Sequence, residues 1–94
     1  MMTILATVRA EDGRGDAVRA GLEALVAPSR AEDTCTRYDL FATEDPNVLL
    51  VVEEWADQAA LNAHMETPHF KAFVAANGEA LAGPPVIQVL TPLG

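Results

Sequence analysis

The stretch that decides the fold is Val48-Leu49-Leu50-Val51-Val52-Glu53-Glu54-Trp55. It is rich in β-branched and apolar residues and contains neither Gly nor Pro, so its length and composition favour a strand over a helix. Successive side chains of a strand face opposite ways, which puts the even-numbered residues on one face and the odd-numbered residues on the other. Both faces are largely apolar, so we expect this strand to be covered on both sides.

Two helices are predicted to follow this strand. Asp57 is placed to cap the first, because a carboxylate can accept hydrogen bonds from the free N–H groups of a first turn. Thr67 is the predicted cap of the second, with Pro68 at the first helical position, where a missing N–H costs nothing. Gly78 weakens the last turns, and residues 83–85 end the helix. The apolar face of the two helices comprises Ala60, Leu61, His64, Met65, Phe70, Phe73, Val74 and Leu81.

An earlier helix is predicted after the turn at residues 11–15. Asp16 is its predicted N-cap. Pro28 falls late in this helix, which either ends near residue 27 or, as we favour, continues with a kink to about residue 31. Its apolar stripe is Val18, Leu22, Leu25 and Val26.

Three more strands complete the pattern. Residues 2–10 alternate in polarity as a strand does, and residues 86–91 form the last strand. Residues 34–42 form a strand that the turn at 43–47 joins to the central one as an antiparallel hairpin. Alternation within residues 34–42 places Thr36, Tyr38 and Leu40 on one face. The other face carries Cys35, Arg37, Asp39 and Phe41.

The elements follow the order β-α-β-β-α-β within one predicted domain, residues 1–94. With right-handed crossovers this order predicts the ferredoxin-like α+β fold, in which four antiparallel strands carry helices on one face. The other face would meet water in a monomer, yet the strands at 48–55 and 86–91 do not place polar residues at every second position. Because a monomer rarely exposes so large an apolar surface, we expect a homodimer that packs sheet to sheet as a two-fold symmetric barrel.

Composition excludes several classes of function. The chain has fourteen acidic and six basic residues and a net charge of −8, so nucleic acid and anionic membrane surfaces would repel it. Cys35 is the only cysteine, which rules out an intrachain disulfide and fits a reducing compartment. The N-terminus lacks the regions of a signal peptide, and no apolar run approaches a membrane span. We expect a soluble cytoplasmic protein.

No cofactor motif is present. His64 and His69 are five residues apart with no third ligand at a familiar spacing, so no metal site is predicted. Gly13 and Gly15 lack the other elements of a phosphate-binding loop, and no flavin or nicotinamide motif occurs.

Several segments together resemble the antibiotic biosynthesis monooxygenase family of the dimeric α/β-barrel superfamily. They are the opening strand, residues 26–32, residues 35–40, Glu53-Glu54-Trp55, the helix ending in His64, and Thr67-Pro68-His69-Phe70-Lys71. The resemblance covers nearly the whole chain. It implies a ferredoxin-like homodimer and, as in characterised relatives, cofactor-free oxygenation of phenols, hydroquinones or anthrones. A haem-degrading branch is a poor match, because its key positions here hold Val74, His64 and, roughly, Thr7.

Two functional hypotheses follow from this resemblance. The first is a quinol-monooxygenase-like enzyme that oxidises a small aromatic or quinol-type compound with O₂ in a pocket between helices and sheet. The second is a non-catalytic dimeric module of the same fold that binds a small apolar ligand. Both need the pocket, and only the first needs a histidine that matters for turnover.

His64 is the predicted catalytic residue. It shares a helical face with Leu61 and Met65, so its ring is expected to point toward the sheet. A partly buried neutral imidazole can take a proton from a phenol or an activated C–H. The resulting anion can donate an electron to O₂ without metal or flavin, in an apolar pocket that protects the radical pair from water. The alternative is a hydrogen-bonded core histidine without a catalytic role.

Five further residues are predicted to contact the substrate: Trp55, Glu53, Tyr38, His69 and Phe70. Trp55 either packs in the core or stacks on an aromatic substrate. Tyr38 either hydrogen-bonds a substrate oxygen or lies half-buried in the hairpin. His69 sits in the first turn of a helix, whose dipole disfavours imidazolium. It either has a solvated or capping role or acts as a base or hydrogen-bond partner.

The sequence leaves one orientation open. Whichever of Glu53 and Glu54 faces the interior needs a partner, such as Arg37 or a histidine, because a buried charge without one is costly. The other glutamate is expected to be solvated. Cys35 is predicted to be an inert small hydrophobe.

Overall fold

The computed structural model describes residues 1–94 and has the predicted order of elements, including the two helices expected after the central strand. The second of these helices ends at Asn77, whereas the sequence predicted that it would run to residues 83–85. A single turn of 3-10 helix, Gly78–Ala80, follows the last α-helix. This is the place where Gly78 was expected to weaken the helix. The elements are β1 (Met2–Arg9), α1 (Gly15–Arg30), β2 (Cys35–Ala42), β3 (Val48–Trp55), α2 (Gln58–Met65), α3 (Pro68–Asn77) and β4 (Val86–Leu90).

The four strands form one antiparallel sheet in the order β2-β3-β1-β4. This is the ferredoxin-like α+β arrangement, so the predicted fold class is confirmed. Strand β3 lies inside the sheet and pairs along its whole length with β1, from Met2 opposite Trp55 to Arg9 opposite Val48. On its other edge it pairs with β2.

The helices cover one face of the sheet. In β3 the odd-numbered residues are buried beneath them, whereas the even-numbered residues of the opposite face stay half-buried. Strand β1 shows the same alternation, with Ile4, Ala6 and Val8 buried. The core is therefore a single layer between helices and sheet. Its members include Ile4, Val18, Leu22, Leu25, Leu49, Val51, Trp55, Leu61 and Phe73.

Strand β4 lies at an edge of the sheet and is exposed at all five residues. The apolar side chains of Val86, Ile87 and Val89 are each more than half exposed. Register places Ile87 and Val89 opposite buried residues of β1, so even the helix-side face of β4 is left open. The sequence led us to expect that this apolar strand would be covered, and one chain alone does not cover it.

Helix α1 begins two residues earlier than predicted. Arg14 is its N-cap, without a side-chain hydrogen bond, and Asp16 lies inside the first turn. The predicted capping role of Asp16 is wrong, although its charge still lies near the positive end of the helix dipole. Gly15 takes the first position because a β-carbon there would collide with the carbonyl oxygen of Pro46.

The C-terminal part of α1 has the predicted extent. The helix continues through Pro28 and ends at Arg30, close to the expected residue 31. It is the longest helix, at 16 residues, and no helix of the structure is long and apolar enough to cross a membrane.

Strand β2 departs from simple alternation at its start. The pairing with β3 shifts between Cys35 and Arg37, so Cys35 lies opposite Trp55 and packs against the core. Thr36 is exposed, and the prediction that it shares the inner face with Tyr38 is wrong. A one-residue irregularity moves every residue before it to the opposite face of the sheet. The local composition gives no sign of this irregularity.

Both predicted caps of the later helices are present. The Asp57 side chain accepts a hydrogen bond from the Ala60 N–H at 2.9 Å. Thr67 Oγ1 accepts from the Phe70 N–H at 3.3 Å and donates to the His64 carbonyl at 2.7 Å. Thr67 therefore ties the end of α2 to the start of α3, which fixes the relative positions of His64 and His69.

We expect Asp57→Ala to lower the free energy of unfolding by about 1 kcal/mol, because it removes the N-cap of the helix that carries His64. Chemical denaturation measures the change. Asp33→Ala is the matched control, since Asp33 is equally exposed and makes no side-chain hydrogen bond. An equal loss in both variants would contradict the capping role.

Candidate active site

A cavity of about 520 Å³ lies between the helices and the inner face of the sheet. Ligand pockets commonly measure about 300–1,000 Å³, so this one is large enough for a substituted aromatic ring. Its lining comes from all three helices, from all four strands and from the segment at residues 83–85 that leads into β4. The cavity is thus a product of the whole fold.

Only three polar side chains line this cavity, those of Tyr38, Glu53 and His64. Tyr38 and Glu53 lie directly opposite each other in the ladder of β2 and β3. The ring centroids of Tyr38 and His64 are 5.6 Å apart. The polar groups are therefore clustered, and the rest of the lining is apolar.

His64 is held in place by Glu32. The last turn of α2 presents the imidazole to the sheet, where it is 2% exposed. Its Nδ1 lies 2.7 Å from Oε2 of Glu32. A carboxylate oxygen only accepts, so Nδ1 carries the proton and donates it. In the neutral ring Nε2 then keeps a lone pair, and no group of the chain donates a hydrogen bond to that nitrogen.

His69 contacts the same carboxylate oxygen. It stands in the first turn of α3, and its Nε2 lies 2.8 Å from Oε2 of Glu32. By the same argument this nitrogen donates. The side chains of Glu32 and His69 are 16% and 24% exposed. The three groups therefore run in sequence from the buried His64 to the partly exposed His69.

Trp55 supports the site without lining the cavity. It is fully buried, and its ring centroid lies 4.5 Å from that of His64, with the planes tilted by 37°. The indole Nε1 donates to Oε1 of Glu53 at 2.9 Å. One side chain thus packs against the imidazole and fixes the carboxyl group beside it. The aromatic face also favours positive charge on a neighbouring ring.

Glu53 is the glutamate that faces the interior, at 6% exposure, and Glu54 lies on the other face. Its partner is the Trp55 indole. Of the partners expected from the sequence, Arg37 or a histidine, Arg37 pairs with Asp39 at 2.7 Å instead. Burial raises the pKa of Glu53 above its ordinary value of 4.5, and the Trp55 hydrogen bond and the nearby His64 partly oppose that rise.

Tyr38 remains a phenol at neutral pH. Burial, followed by the charge of Glu53, raises the pKa of its hydroxyl above the ordinary value of 10.0. A protonated hydroxyl can donate a hydrogen bond to a ligand oxygen. Burial likewise raises the pKa of the Cys35 thiol, which matches the prediction of an unreactive side chain.

Four of the six predicted site residues line the cavity: His64, Glu53, Tyr38 and Phe70. The rings of Phe70 and His64 pack edge to face, with 5.2 Å between their centroids. Trp55 and His69 do not line it and contact His64, Glu53 and Glu32 instead.

Glu32 was not predicted as a site residue. It follows α1 and is 32 residues before His64, so no spacing in the sequence connects them. The one available signal was topological. Cys35 opens β2 opposite Trp55, the end of β3, so the residues just before β2 must lie near those just after β3. The Ala56 N–H donates to the Thr34 carbonyl at this point.

Glu32, His64 and His69 also form a group that could hold a metal ion. Their donor atoms all lie within 4.8 Å of one another. The sequence argument found two histidines without a third ligand, because the third comes from a distant segment. Imidazole nitrogen and carboxylate oxygen are ordinary ligands for zinc and related divalent ions.

Comparison with known proteins identifies relatives over most of the chain. Residues 1–76 match the family described as "Antibiotic biosynthesis monooxygenase". A protein of Mycobacterium tuberculosis named "Putative monooxygenase Rv0793" is 40% identical over 77 residues, which cover 82% of this chain and 76% of that protein. The protein of Escherichia coli K12 named "Probable quinol monooxygenase YgiN" is 29% identical over 84 residues, covering 78% of this chain and 81% of that protein.

A solved structure has the same fold. The crystal structure of PA3566 from Pseudomonas aeruginosa superimposes with a TM-score of 0.90 at 39% sequence identity, and covers 99% of this chain and 94% of that one. The arrangement of helices over one face of the sheet is therefore shared by an experimentally determined relative.

We expect Glu53→Gln to stabilise the fold at pH 7 and to have little effect below pH 4.5. The raised pKa means that the folded chain holds this proton to higher pH than the unfolded chain does. The stabilisation from protonated Glu53 is present below the ordinary value of 4.5 and is lost as pH rises through the folded-state pKa. Glutamine has no charge to bury, so the variant does not lose stability as pH rises. Its side-chain oxygen can still accept the hydrogen bond from the Trp55 indole.

Urea denaturation at pH 7 and pH 4 measures this difference. Glu54→Gln is the matched control, since it makes the same charge change on the other face of the same strand. If Glu53→Gln is less stable than the parent at pH 7, burial of the ionised Glu53 carboxylate does not destabilise the fold.

Proposed function

The chain belongs to the antibiotic biosynthesis monooxygenase family, and on that premise we propose that it is a cofactor-independent monooxygenase that oxidises a small aromatic or quinol-type compound with O₂. The observation that carries the proposal is the arrangement of His64. Its Nδ1 is tied to Glu32, its other nitrogen has no protein partner, and its ring lines an apolar cavity of about 520 Å³. The relatives named as monooxygenases support the class of reaction.

His64 acts as general base in this proposal. Nε2 accepts a proton from a phenolic hydroxyl or an activated C–H of the substrate. The imidazolium that forms is stabilised by the Glu32 carboxylate, 2.7 Å from Nδ1, and by the face of Trp55. Glu32 is therefore a positioning residue, since it sets which nitrogen is free and favours the protonated ring.

The substrate anion then reduces O₂ directly. One oxygen atom enters the substrate and the other leaves as water, as when a CH₂ group becomes a carbonyl or a hydroquinone becomes a hydroxyquinone. All the electrons come from the substrate, so no external reductant is needed. The apolar lining excludes water from the reactive intermediate, because only three polar side chains face the cavity.

The same lining limits the substrate class. A flat apolar ring fits among the aliphatic side chains and Phe70, while its hydroxyl group faces the cluster of Tyr38, Glu53 and His64. Tyr38 donates to a substrate oxygen in this arrangement, and Trp55 and His69 act through Glu53, His64 and Glu32. An anionic substrate is disfavoured, because the cavity contains no Lys or Arg and the chain is strongly acidic.

We further propose that the chain works as a homodimer. The face of the sheet opposite the helices presents half-exposed Leu5, Leu50 and Val52, and β4 adds exposed Val86 and Leu90. An apolar face that one chain leaves open is best covered by the same face of a second chain, as two-fold symmetry allows.

The proposed setting is the cytoplasm. The single cysteine, Cys35, is half-buried, and burial raises the pKa of its thiol. A chain with one cysteine cannot form an intrachain disulfide, so an oxidising compartment would not stabilise it in that way.

Oxygen uptake with a hydroquinone or an anthrone tests the function. We expect the parent chain to consume O₂ above the uncatalysed rate in the presence of a metal chelator. His64→Gln should lower the rate by about 100- to 10,000-fold, the usual contribution of a general base. Lys71→Gln is the control, because Lys71 is exposed and pairs only with Glu66.

Ligand binding measured on the same variants separates the two hypotheses. If the parent binds the aromatic compound without consuming O₂, or if His64→Gln turns over at the parent rate, the proposed catalysis is wrong. Binding alone would favour a non-catalytic module that uses the same cavity.

Light scattering after size-exclusion chromatography tests the dimer. We expect a mass twice the 10.0 kDa of one chain. Val52→Lys should shift the mass toward that of a monomer, because it places a charge in the middle of the open sheet face. Ala75→Lys, on the exposed side of α3, should leave the mass unchanged. A folded parent chain that runs as a monomer at micromolar concentration would contradict the pairing.

A further inference from the structure

Three potential metal ligands converge beside the cavity from separate parts of the chain. Glu32 comes from the segment between α1 and β2, His64 from the last turn of α2, and His69 from the first turn of α3. Nδ1 of His64 and Nε2 of His69 lie 2.7 and 2.8 Å from the same oxygen of Glu32. All three donors lie within 4.8 Å of one another.

We propose that Glu32, His64 and His69 bind one divalent transition-metal ion of the zinc type. Two imidazole nitrogens and one carboxylate oxygen match the donor preference of Zn²⁺ and Co²⁺, whereas Mg²⁺ and Ca²⁺ favour sites made only of oxygen. Three protein ligands leave at least one coordination position for water or another ligand.

The geometry requires only small movements. Zinc bonds to nitrogen and oxygen are about 2.0–2.2 Å long, which sets tetrahedral ligands roughly 3.4 Å apart. The present separations of 2.7 and 2.8 Å must therefore widen by about 0.6–0.7 Å. Glu32 and His69 are partly exposed and can rotate, while the buried His64 stays fixed against Trp55.

The segment around the donors supports this arrangement. Thr67 Oγ1 hydrogen-bonds the His64 carbonyl and caps α3, so the two histidines are held on either side of one short connection. Preorganised ligands of this kind raise metal affinity, because less side-chain freedom is lost on binding. The net charge of −8 further favours a cation over an anion near this site.

Metal binding would change which nitrogen of His64 carries a proton. The metal takes the lone pair of Nδ1, so in the neutral ring the proton resides on Nε2. A metal-bound His64 therefore cannot accept a substrate proton, and the metal acts as an inhibitor of the proposed oxygenation. This consequence rests on the proposed function, whereas the binding of the metal does not.

Calorimetric titration with Zn²⁺ and the visible absorption of Co²⁺ test the site. The protein should carry no affinity tag and should be freed of metal with a chelator and then dialysed. We expect one ion per chain and a Co²⁺ spectrum typical of low coordination number. Excess Mg²⁺ should not displace either ion, and displacement by Mg²⁺ at comparable concentration would overturn the assigned donor set.

Two variants and one control assign the ligands. Glu32→Gln and His69→Gln should each weaken Zn²⁺ binding by more than about 100-fold, since even partners outside the ligand shell contribute 10- to 100-fold. Glu66→Gln removes the same charge from an exposed side chain between the two histidines and should leave binding unchanged. Circular dichroism confirms that each variant is folded.

The outcomes separate this inference from the proposed function. Absence of saturable Zn²⁺ binding below millimolar concentration, or equal binding by the parent and both ligand variants, would show that the three residues form a hydrogen-bonded cluster only. If the parent consumes O₂, saturating Zn²⁺ should abolish that activity, and unaltered turnover would overturn the inhibitory role. A chain that binds Zn²⁺ but never consumes O₂ would leave the metal site in place and disprove the oxygenation.

Discussion

The structure depends on the position of β3, which is hydrogen-bonded along both edges but covered on only one face. A period of two residues puts Leu49, Val51, Glu53 and Trp55 in one row beneath the helices. Leu49 and Val51 form part of the core, and Glu53 and Trp55 bring a carboxyl group and its indole partner into it. The strand that stabilises the fold therefore also places the Glu53 carboxyl group in the cavity, and a shift in its register would disrupt both the core and the site.

The sequence was sufficient for the architecture because each element is signalled locally. The caps at Asp57 and Thr67 depend on side-chain chemistry within three residues, and both occur as predicted. Helix α1 continues through Pro28 because the burial of its apolar stripe outweighs the backbone hydrogen bond that proline cannot make. Where a local signal was ambiguous the prediction was wrong: Asp16 and Arg14 are two residues apart, and the close approach of Pro46 to Gly15 decided where the helix begins.

The site was predicted only in part, because its decisive contacts join segments far apart in the chain. The burial of His64 followed from its helical face, and its contact with Trp55 joins neighbouring elements. The carboxylate of Glu32 and the shift in pairing at Cys35 depend on how β2 meets β3, which no pattern within β2 reveals. For the same reason Arg37 was one of the partners expected for the interior glutamate, whereas it pairs with Asp39 on its own strand.

The carboxyl groups of Glu53 and Glu32 show how different surroundings give the same side chain different properties. Glu53 lies deep in the apolar layer with one neutral donor, and burial raises its pKa. Glu32 lies nearer the surface and accepts from two imidazoles at one oxygen. The first holds its proton more tightly than an ordinary glutamate, and the second organises the two histidines, so the roles of the two residues are not interchangeable.

The exposed edge strand has a consequence for the aggregation of the chain. Along its free side, β4 offers unpaired backbone N–H and C=O groups, and none of its five residues is charged. Natural sheets usually guard such an edge with lysine or a bulge to prevent aggregation. Here Pro85 and Pro92 bound the strand instead, so any foreign strand that adds to it can extend over only a few residues. A newly synthesised chain is thus protected from fibrous growth by the shortness of β4 and not by its charge.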